Sequence, residues 1–485
     1  MSAPGGRIAI VGGGFTGAAL AIHLVRHARP SGAITVFEPR ARLGAGLAYS
    51  TDDPDHRFNG PIDLLSLFPD DPAHFERWYH ASGERAADPQ AVAATGQLYC
   101  RRAAFARYMA AQLAAHGGPP SDTGAIVHDR RRVVDLERDG AALTLTTDDG
   151  TRSAFGQVFL CTSFEPPAIP GPLRPLADDP RFVVDPWAPG ALDRVPREGD
   201  VLLVGTALTA VDVVATLMRR GQRGTVTAIS RRGLLPRPQD VLPSMEARIA
   251  KFLRPTPLFV ERHGVPHRLP AIVRAVRADI AEARRRGRPW QDAFDDLRDA
   301  GPVLWAALPV AERRRALRHL RAFYDAHRYR MAPQLAAIVE HAQRAGRLTF
   351  ARARCVAAEA TAAGLVVRLA EGRPAATAGA RCFAAIVNCT GPTSEVAGSR
   401  NPLLAALVAR GLAAPDPTGA GLGVDAACRP IAADGGTDPR LVAFGPLTRG
   451  RFGDLTAIPQ INAQILRTLT GSALGRPGGA APTNA

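Results

Sequence analysis

Lysine is almost missing from this chain of 485 residues. Of its 60 basic side chains a single one, Lys251, is lysine and the rest are arginine. No Gly-Lys-Ser/Thr phosphate loop can therefore exist, which excludes a P-loop nucleotide hydrolase. A pyridoxal enzyme would have only Lys251 for its Schiff base, and nothing around that residue suggests one. The six cysteines (100, 161, 355, 382, 389 and 428) contain no C-x-x-C pair. Their spacing argues against a zinc ribbon, a thioredoxin-type dithiol or a disulfide framework, and fits a reducing cytoplasm. No metal site is expected. Uninterrupted apolar runs of about 18 residues are also lacking, so no membrane span is expected. Residues 8–25 mimic a secretion signal, but three consecutive glycines stand where its apolar core would be.

What is present is a soluble, globular composition, with 46% apolar and 22% charged residues. The length suggests two to four domains at about 100–200 residues each. The net charge is +15, yet the arginines are scattered. Clusters such as Arg130-Arg131-Arg132, Arg284-Arg285-Arg286 and Arg313-Arg314-Arg315 are separated by acids and apolar residues. They read as solvated helix faces, not as a nucleic-acid surface.

Two segments carry nucleotide chemistry. In the first, the apolar strand Ile8-Ala-Ile-Val11 runs into Gly12-Gly13-Gly14-Phe15-Thr16-Gly17, then a helical pattern, then a second strand ending at Glu38. Gly12 permits the tight turn, Gly14 the approach of backbone to a pyrophosphate, and Gly17 the packing of helix on strand. The helix N-terminus offers free N–H groups to phosphate. Glu38, 21 residues after Gly17, stands where an acid accepts the hydrogen bonds of an adenosine ribose and repels a 2′-phosphate, so this unit favours FAD or NAD.

In the second, strand residues 200–204 lead to Gly205-Thr206-Ala207-Leu208-Thr209-Ala210, a helix, and a strand at 225–229 ending in Ser230-Arg231-Arg232. Arg231 occupies the position that Glu38 holds in the first unit. Guanidinium groups there suit a 2′-phosphate, hence NADP(H). Ala207 replaces the middle glycine and puts a Cβ where backbone should meet the pyrophosphate.

An acid-ended unit followed by an arginine-ended one is the plan of a two-nucleotide flavoprotein, FAD in the first and NADPH in the second. The expected fold class is α/β, two Rossmann-like dinucleotide-binding domains with a helical insertion. The expected boundaries are 1–165 for the first part of the FAD-binding domain and 166–385 for the NADP-binding domain. Residues 386–474 would form the C-terminal part of the FAD-binding domain, and 475–485 a disordered tail. Two apolar strands, 158–162 ending at Thr162 and 386–391 ending at Gly391, look like a matched pair that returns the chain to the flavin. The proline-rich stretch 165–199 reads as a linker. Residues about 240–345 break the βαβ rhythm with helical spacing over 273–288, 290–300, 310–327 and 333–346, and either cap a substrate cleft or pack on the surface.

Taken with residues 43–51 (Leu-Gly-Ala-Gly-Leu-Ala-Tyr-Ser-Thr), His56-Arg-Phe-Asn59, the stretch 68–75 with Trp78, 229–236, 317–321, 327–330 with Pro333, and Ala457-Ile-Pro-Gln-Ile461, the sequence resembles a family of bacterial FAD/NAD(P)-binding proteins related to flavin-dependent N-hydroxylating monooxygenases. The resemblance covers nearly the whole chain. It implies that 43–51, including Gly44 and Tyr49, runs beside the flavin. It also implies that Ile458-Pro459 opens a helix whose N-terminus faces the flavin's pyrimidine edge, where its dipole would stabilise the anionic reduced ring. The chain departs from the family pattern at Ala207, Ser163 and Gly60.

For the chemistry, His56 is a candidate proton shuttle and Asn59 a candidate hydrogen-bond partner of flavin or nicotinamide. A loop-capping polar pair is the plainer reading of both. Asp454 reads as an N-terminal capping acid, and His327 with Arg328 and Arg330 as either an anion-binding group or a solvated face. The leading expectation is an FAD-dependent, NADPH-consuming monooxygenase acting on a small polar, amine-bearing substrate. The alternatives are an NADPH:acceptor reductase or amine dehydrogenase, and a non-enzymatic FAD/NADP-binding interaction protein.

Overall fold

The computed structural model describes residues 6–470 apart from 29, 31, 119–124, 141, 163–164, 241, 253, 372–377 and 394. Ser163 and the expected tail lie outside the described residues.

The first unit opens with β1 (Ile8–Val11), α1 (Phe15–His23) and β2 (Ile34–Phe37), continues through α2 (His74–Ala81) and α3 (Arg102–His116), and adds β3 (Ile126–Asp129). A three-stranded antiparallel meander follows, β4 (Val133–Asp139), β5 (Ala142–Thr147) and β6 (Arg152–Phe155), before β7 (Gln157–Leu160) rejoins the main sheet beside β1. These strands are short apolar runs because both faces are covered, as parallel sheets require. One face packs on α1 and α3, the other on the meander.

The second unit holds β8 (Phe182–Val183), β9 (Val201–Val204), α4 (Leu208–Arg219) and β10 (Val226–Ser230). Helices α5 (Met245–Phe252), α6 (Leu258–His263), α7 (Leu269–Arg285), α8 (Trp290–Ala307), α9 (Val310–Arg315), α10 (Arg321–Arg328) and α11 (Pro333–Arg344) come next. Then come β11 (Leu348–Thr361), β12 (Gly364–Glu371), β13 (Ala378–Phe383) and β14 (Ala385–Asn388). The sheet order is β13-β12-β11-β10-β9-β14-β8. The chain finally returns to the first unit with α12 (Pro402–Ala409), β15 (Leu441–Ala443), α13 (Arg449–Phe452) and α14 (Ile458–Thr470). β15 completes a five-stranded parallel sheet of order β15-β7-β1-β2-β3.

Several expectations are corrected. β14 pairs with β9 and β8, so it belongs to the second sheet and not with the C-terminal segment. The proline-rich stretch is packed, not loose: Leu173 and Leu176 are fully buried against the second sheet and Phe182 lies on a strand of it. Apolar residues placed between the prolines override the composition. Helix α8 runs past Gly301-Pro302 to Ala307 because Leu304 is buried in the insertion's own core with Phe259, Ile272 and Leu308. The 310–327 stretch is two helices, α9 and α10, joined by a wider turn at Ala316–Leu320. Helix α11 shares a core with α4 and feeds β11, which makes it the crossover helix of the second unit.

The arginine excess is largely paired. In the insertion, Arg330 bonds Asp295 in bidentate fashion and Arg262 reaches Asp279 and Asp296. Lys251 lies 2.6 Å from Asp296 and 2.9 Å from Asp299. Burial disfavours its charge, but the two carboxylates outweigh that and raise its pKa, so it is no free amine. Among the described residues no helix is long and apolar enough to cross a membrane.

Candidate functional site: two nucleotide cradles and the elements that join them

The first cradle is built on backbone proximity. Gly12 sits at φ +102°, and a Cβ there would come 2.5 Å from the Cys161 carbonyl. A Cβ on Gly17 would meet Gly12 O at 1.9 Å. No side chain caps α1 at Gly14, which leaves its first N–H groups for an anion. Phe15 and Thr16 are buried in that first turn. Residues 43–51 cross over the turn, with Gly44 N–H donating to Gly13 O at 2.8 Å and Gly46 at φ +51° so near that a Cβ would lie 3.1 Å from Gly14 Cα.

The Glu38 carboxylate, 5% exposed, accepts the N–H groups of Gly13 (3.1 Å) and Arg40 (3.0 Å). It is fixed at the end of β2 with lone pairs remaining for two ribose hydroxyls. Beyond β7, the hydroxyl of Thr162 is buried with no hydrogen-bond partner among the described residues. An orphaned polar atom beside a glycine cradle is what a ligand would complete. Tyr49 is packed, stacked on Phe58 (5.1 Å) and edge-on to Phe105 (5.0 Å). Ile458 starts α14 and joins the cluster that includes Phe15 and Phe58, while Pro459 is exposed.

Sequence reasoning missed a third wall. At the end of β15, Gly445 has φ +71°, and a Cβ would come 2.8 Å from the Thr16 hydroxyl. Its N–H donates to Gln464 Oε1 at 2.8 Å, and Gln464 in turn donates to Thr448. The signal was a four-residue apolar run, Leu441 to Phe444, before a glycine, too short to stand out in a glycine-rich chain.

The second cradle repeats the first. Gly205 has φ +128°, and a Cβ would lie 2.1 Å from Cys389 O. Ala207 precedes α4 in extended backbone (φ −86°, ψ −168°) and is exposed, so its methyl meets solvent and not the sheet. Ala210 is fully buried on the sheet and Thr209 half-buried. Thr206 Oγ1 donates to Leu234 O at 2.5 Å and lies 2.9 Å from Ser230 Oγ. Arg231 is exposed with no described partner. Arg232 is engaged: it donates to His319 O at 3.2 Å and lies 4.9 Å over the Phe323 ring. Gly391 at φ +81° borders open space.

His56 lies between the units. Its Nδ1 is 2.7 Å from Thr51 Oγ1 and its Nε2 3.0 Å from Thr216 Oγ1 on α4, and the ring is buried against Trp187. Burial first, with Arg102, holds its pKa below the ordinary value against Asp212 and Asp53. With both nitrogens engaged, a proton shuttle lacks a free one. Thr216 and Arg219 both bond Asp53, and Arg102 on α3 bonds Asp212 on α4 at 2.8 Å. Asn59 is half-buried with no described partner.

Asp454 does not cap α14. It accepts from Arg328 Nε (2.8 Å), Tyr329 OH (2.7 Å) and Thr456 Oγ1 (3.0 Å). Burial opposes its charge, and these partners outweigh it and keep the carboxyl below its ordinary range. Arg328 is neutralised by Asp454 and Arg330 by Asp295, so neither guanidinium is free for an anionic substrate, and His327 Nδ1 bonds Phe323 O. Trp305 Nε1 donates to Gly450 O at 2.9 Å. The insertion is clamped on the segment that enters α14.

The family described as FAD-NAD(P)-binding matches residues 9–165. Comparison with curated protein sequences finds no match. Among solved structures, the FAD-bound cadaverine monooxygenase of Erwinia amylovora aligns over 99% of this chain and 98% of its own, at 12% identity and TM-score 0.63. The L-lysine 6-monooxygenase of Pseudomonas syringae aligns over 96% and 98%, at 18% and 0.62. For the ornithine hydroxylase of Pseudomonas aeruginosa the values are 96%, 98%, 16% and 0.60. The first and second units together have the fold of these flavoenzymes, as the paired motifs implied.

Proposed function

We propose that the chain is an FAD-dependent, NADPH-consuming monooxygenase that hydroxylates an amine of a small polar molecule. The observation that carries the reading is the unlike ending of two otherwise matched cradles: a fixed carboxylate, Glu38, in the first and an unpaired guanidinium, Arg231, in the second. The neighbours are a cadaverine, a lysine and an ornithine enzyme, which supports an amine substrate.

The residues present suit FAD. The Gly12–Gly17 turn and the free N-terminus of α1 would hold its pyrophosphate, Glu38 its ribose, and Thr162 with residues 43–51 the segment toward the ring. Bound FAD supplies the redox chemistry, accepting hydride and reducing oxygen. The chain supplies orientation. Asn59, half-buried with no described partner, would hydrogen-bond flavin or nicotinamide. The α14 N-terminus offers its dipole to the reduced ring. The insertion, held by Trp305 and by Asp454 with Arg328, keeps water from the cleft. His56 positions the second unit against the first.

The test is NADPH oxidation by the FAD-loaded chain, with and without oxygen, against a panel of diamines and basic amino acids. Oxygen-dependent consumption with a hydroxylated amine product supports the reading. Oxidation that needs only an artificial acceptor replaces it with a reductase.

A further inference from the structure

The second cradle carries two arginines whose side chains have no partner among the described residues, and they are not the two adjacent in sequence. β10 and β11 pair in parallel with Ser230 opposite Arg352. Side chains alternate along a strand. Val226 and Ala228 of β10, and Leu348 and Phe350 of β11, face the core shared with α4 and α11. Two residues on, Ser230, the last residue of β10, and Arg352, within β11, continue that same face.

The loop after β10 is pinned there. Ser230 Oγ accepts the N–H of Gly233 at 3.0 Å and contacts Thr206 at 2.9 Å. Gly233, at φ +61°, lies directly on Arg352: a Cβ would come 3.1 Å from Arg352 Cβ. Arg352 is exposed and, like Arg231, has no described hydrogen bond or ion pair. Residues 230–234 contain no acid. Arg232, the neighbour a sequence reading would choose, is held by His319 and Phe323 of the insertion.

We propose that Arg352, together with Arg231, forms the clamp for the 2′-phosphate of NADPH. The inference rests on the NADPH assignment of the second unit. A phosphate dianion relieves the repulsion between two exposed guanidiniums and offers each a charge-assisted hydrogen bond. Arg232 instead serves to tie the loop to α10.

The probes are 2′,5′-ADP and 5′-AMP, titrated calorimetrically into the full chain loaded with FAD. Arg352→Ala should weaken 2′,5′-ADP about tenfold, the loss of one charged hydrogen bond, and leave 5′-AMP within about twofold. Arg231→Ala should do the same, and Arg352→Lys should recover part of the loss. Arg347→Ala, at the far end of β11, removes the same charge and should change neither ligand. If Arg352→Ala binds 2′,5′-ADP as the parent does while Arg231→Ala does not, the clamp is overturned and the NADPH reading stands. If the parent itself prefers 5′-AMP, the NADPH reading falls and the clamp with it.

Discussion

His56 and Thr216 join the two nucleotide units: the imidazole Nε2 on a loop of the first lies 3.0 Å from the hydroxyl on α4 of the second. The same hydroxyl donates to Asp53, which also binds Arg219, so one small polar cluster fixes the second cradle relative to the first. His56→Ala should cost about 1–3 kcal/mol in urea unfolding, the value of buried hydrogen bonds left unmade. The pH profile of its oxygen-dependent NADPH consumption should keep the parent's shape. A lost limb in that profile would restore the proton-shuttle role.

The sign of the pH effect on stability follows from the lowered pKa of His56. The unfolded chain takes up the proton first, near pH 6.5. The contribution is therefore complete above that value and lost as pH falls through the lower folded-state pKa. Fully buried His23, which burial, His27 and Arg26 bring to about 4, acts in the same direction over pH 6.5 to 4. Urea melts between pH 7.5 and 4.5 should show falling stability, and His23→Leu should flatten part of the slope.

Gly12→Ala should give chain without bound flavin, because the new methyl would meet Cys161 O at 2.5 Å in a backbone region that alanine avoids. Visible absorbance per chain after reconstitution measures this. Ala207→Gly should change NADPH affinity by less than about twofold, since Ala207 is exposed in ordinary extended backbone. A tenfold tightening would show that its methyl does obstruct the pyrophosphate, as the sequence alone suggested.

Asp454→Asn should destabilise the chain by about 3 kcal/mol, because it leaves the Arg328 guanidinium, 13% exposed, without its carboxylate. The loss should be smaller when Arg328→Met is added. Limited proteolysis should cut first in the insertion of the single variant. Unchanged proteolysis would mean that the Asp454–Arg328 pair does not hold the insertion in place.

Both cradles could be read from sequence because strand, glycine turn, helix and terminal acid or arginine lie within about 30 contiguous residues. Glu38 and Arg231 stand at the ends of the strands where spacing puts them. Partnerships formed over long separations could not be read that way. Thr216 meets His56 across 160 positions, and Asp454 meets Arg328 across 126. Neither contact leaves a local pattern, so His56 resembled a catalytic histidine and Asp454 a helix cap. β14 was given to the wrong unit for the same reason. An apolar strand ending in Cys-Thr looks alike in either sheet, and only its pairing with β9 decides.

On the proposed function, reducing power passes from NADPH to a flavin held by the first cradle. The direct measurement is anaerobic mixing of the FAD-reconstituted chain with NADPH or NADH, followed by visible absorbance. One FAD per chain, bleached at least tenfold faster by NADPH than by NADH at equal subsaturating concentration, is the predicted result. A colourless chain that takes up no FAD, or a flavin that neither nucleotide bleaches, would contradict it.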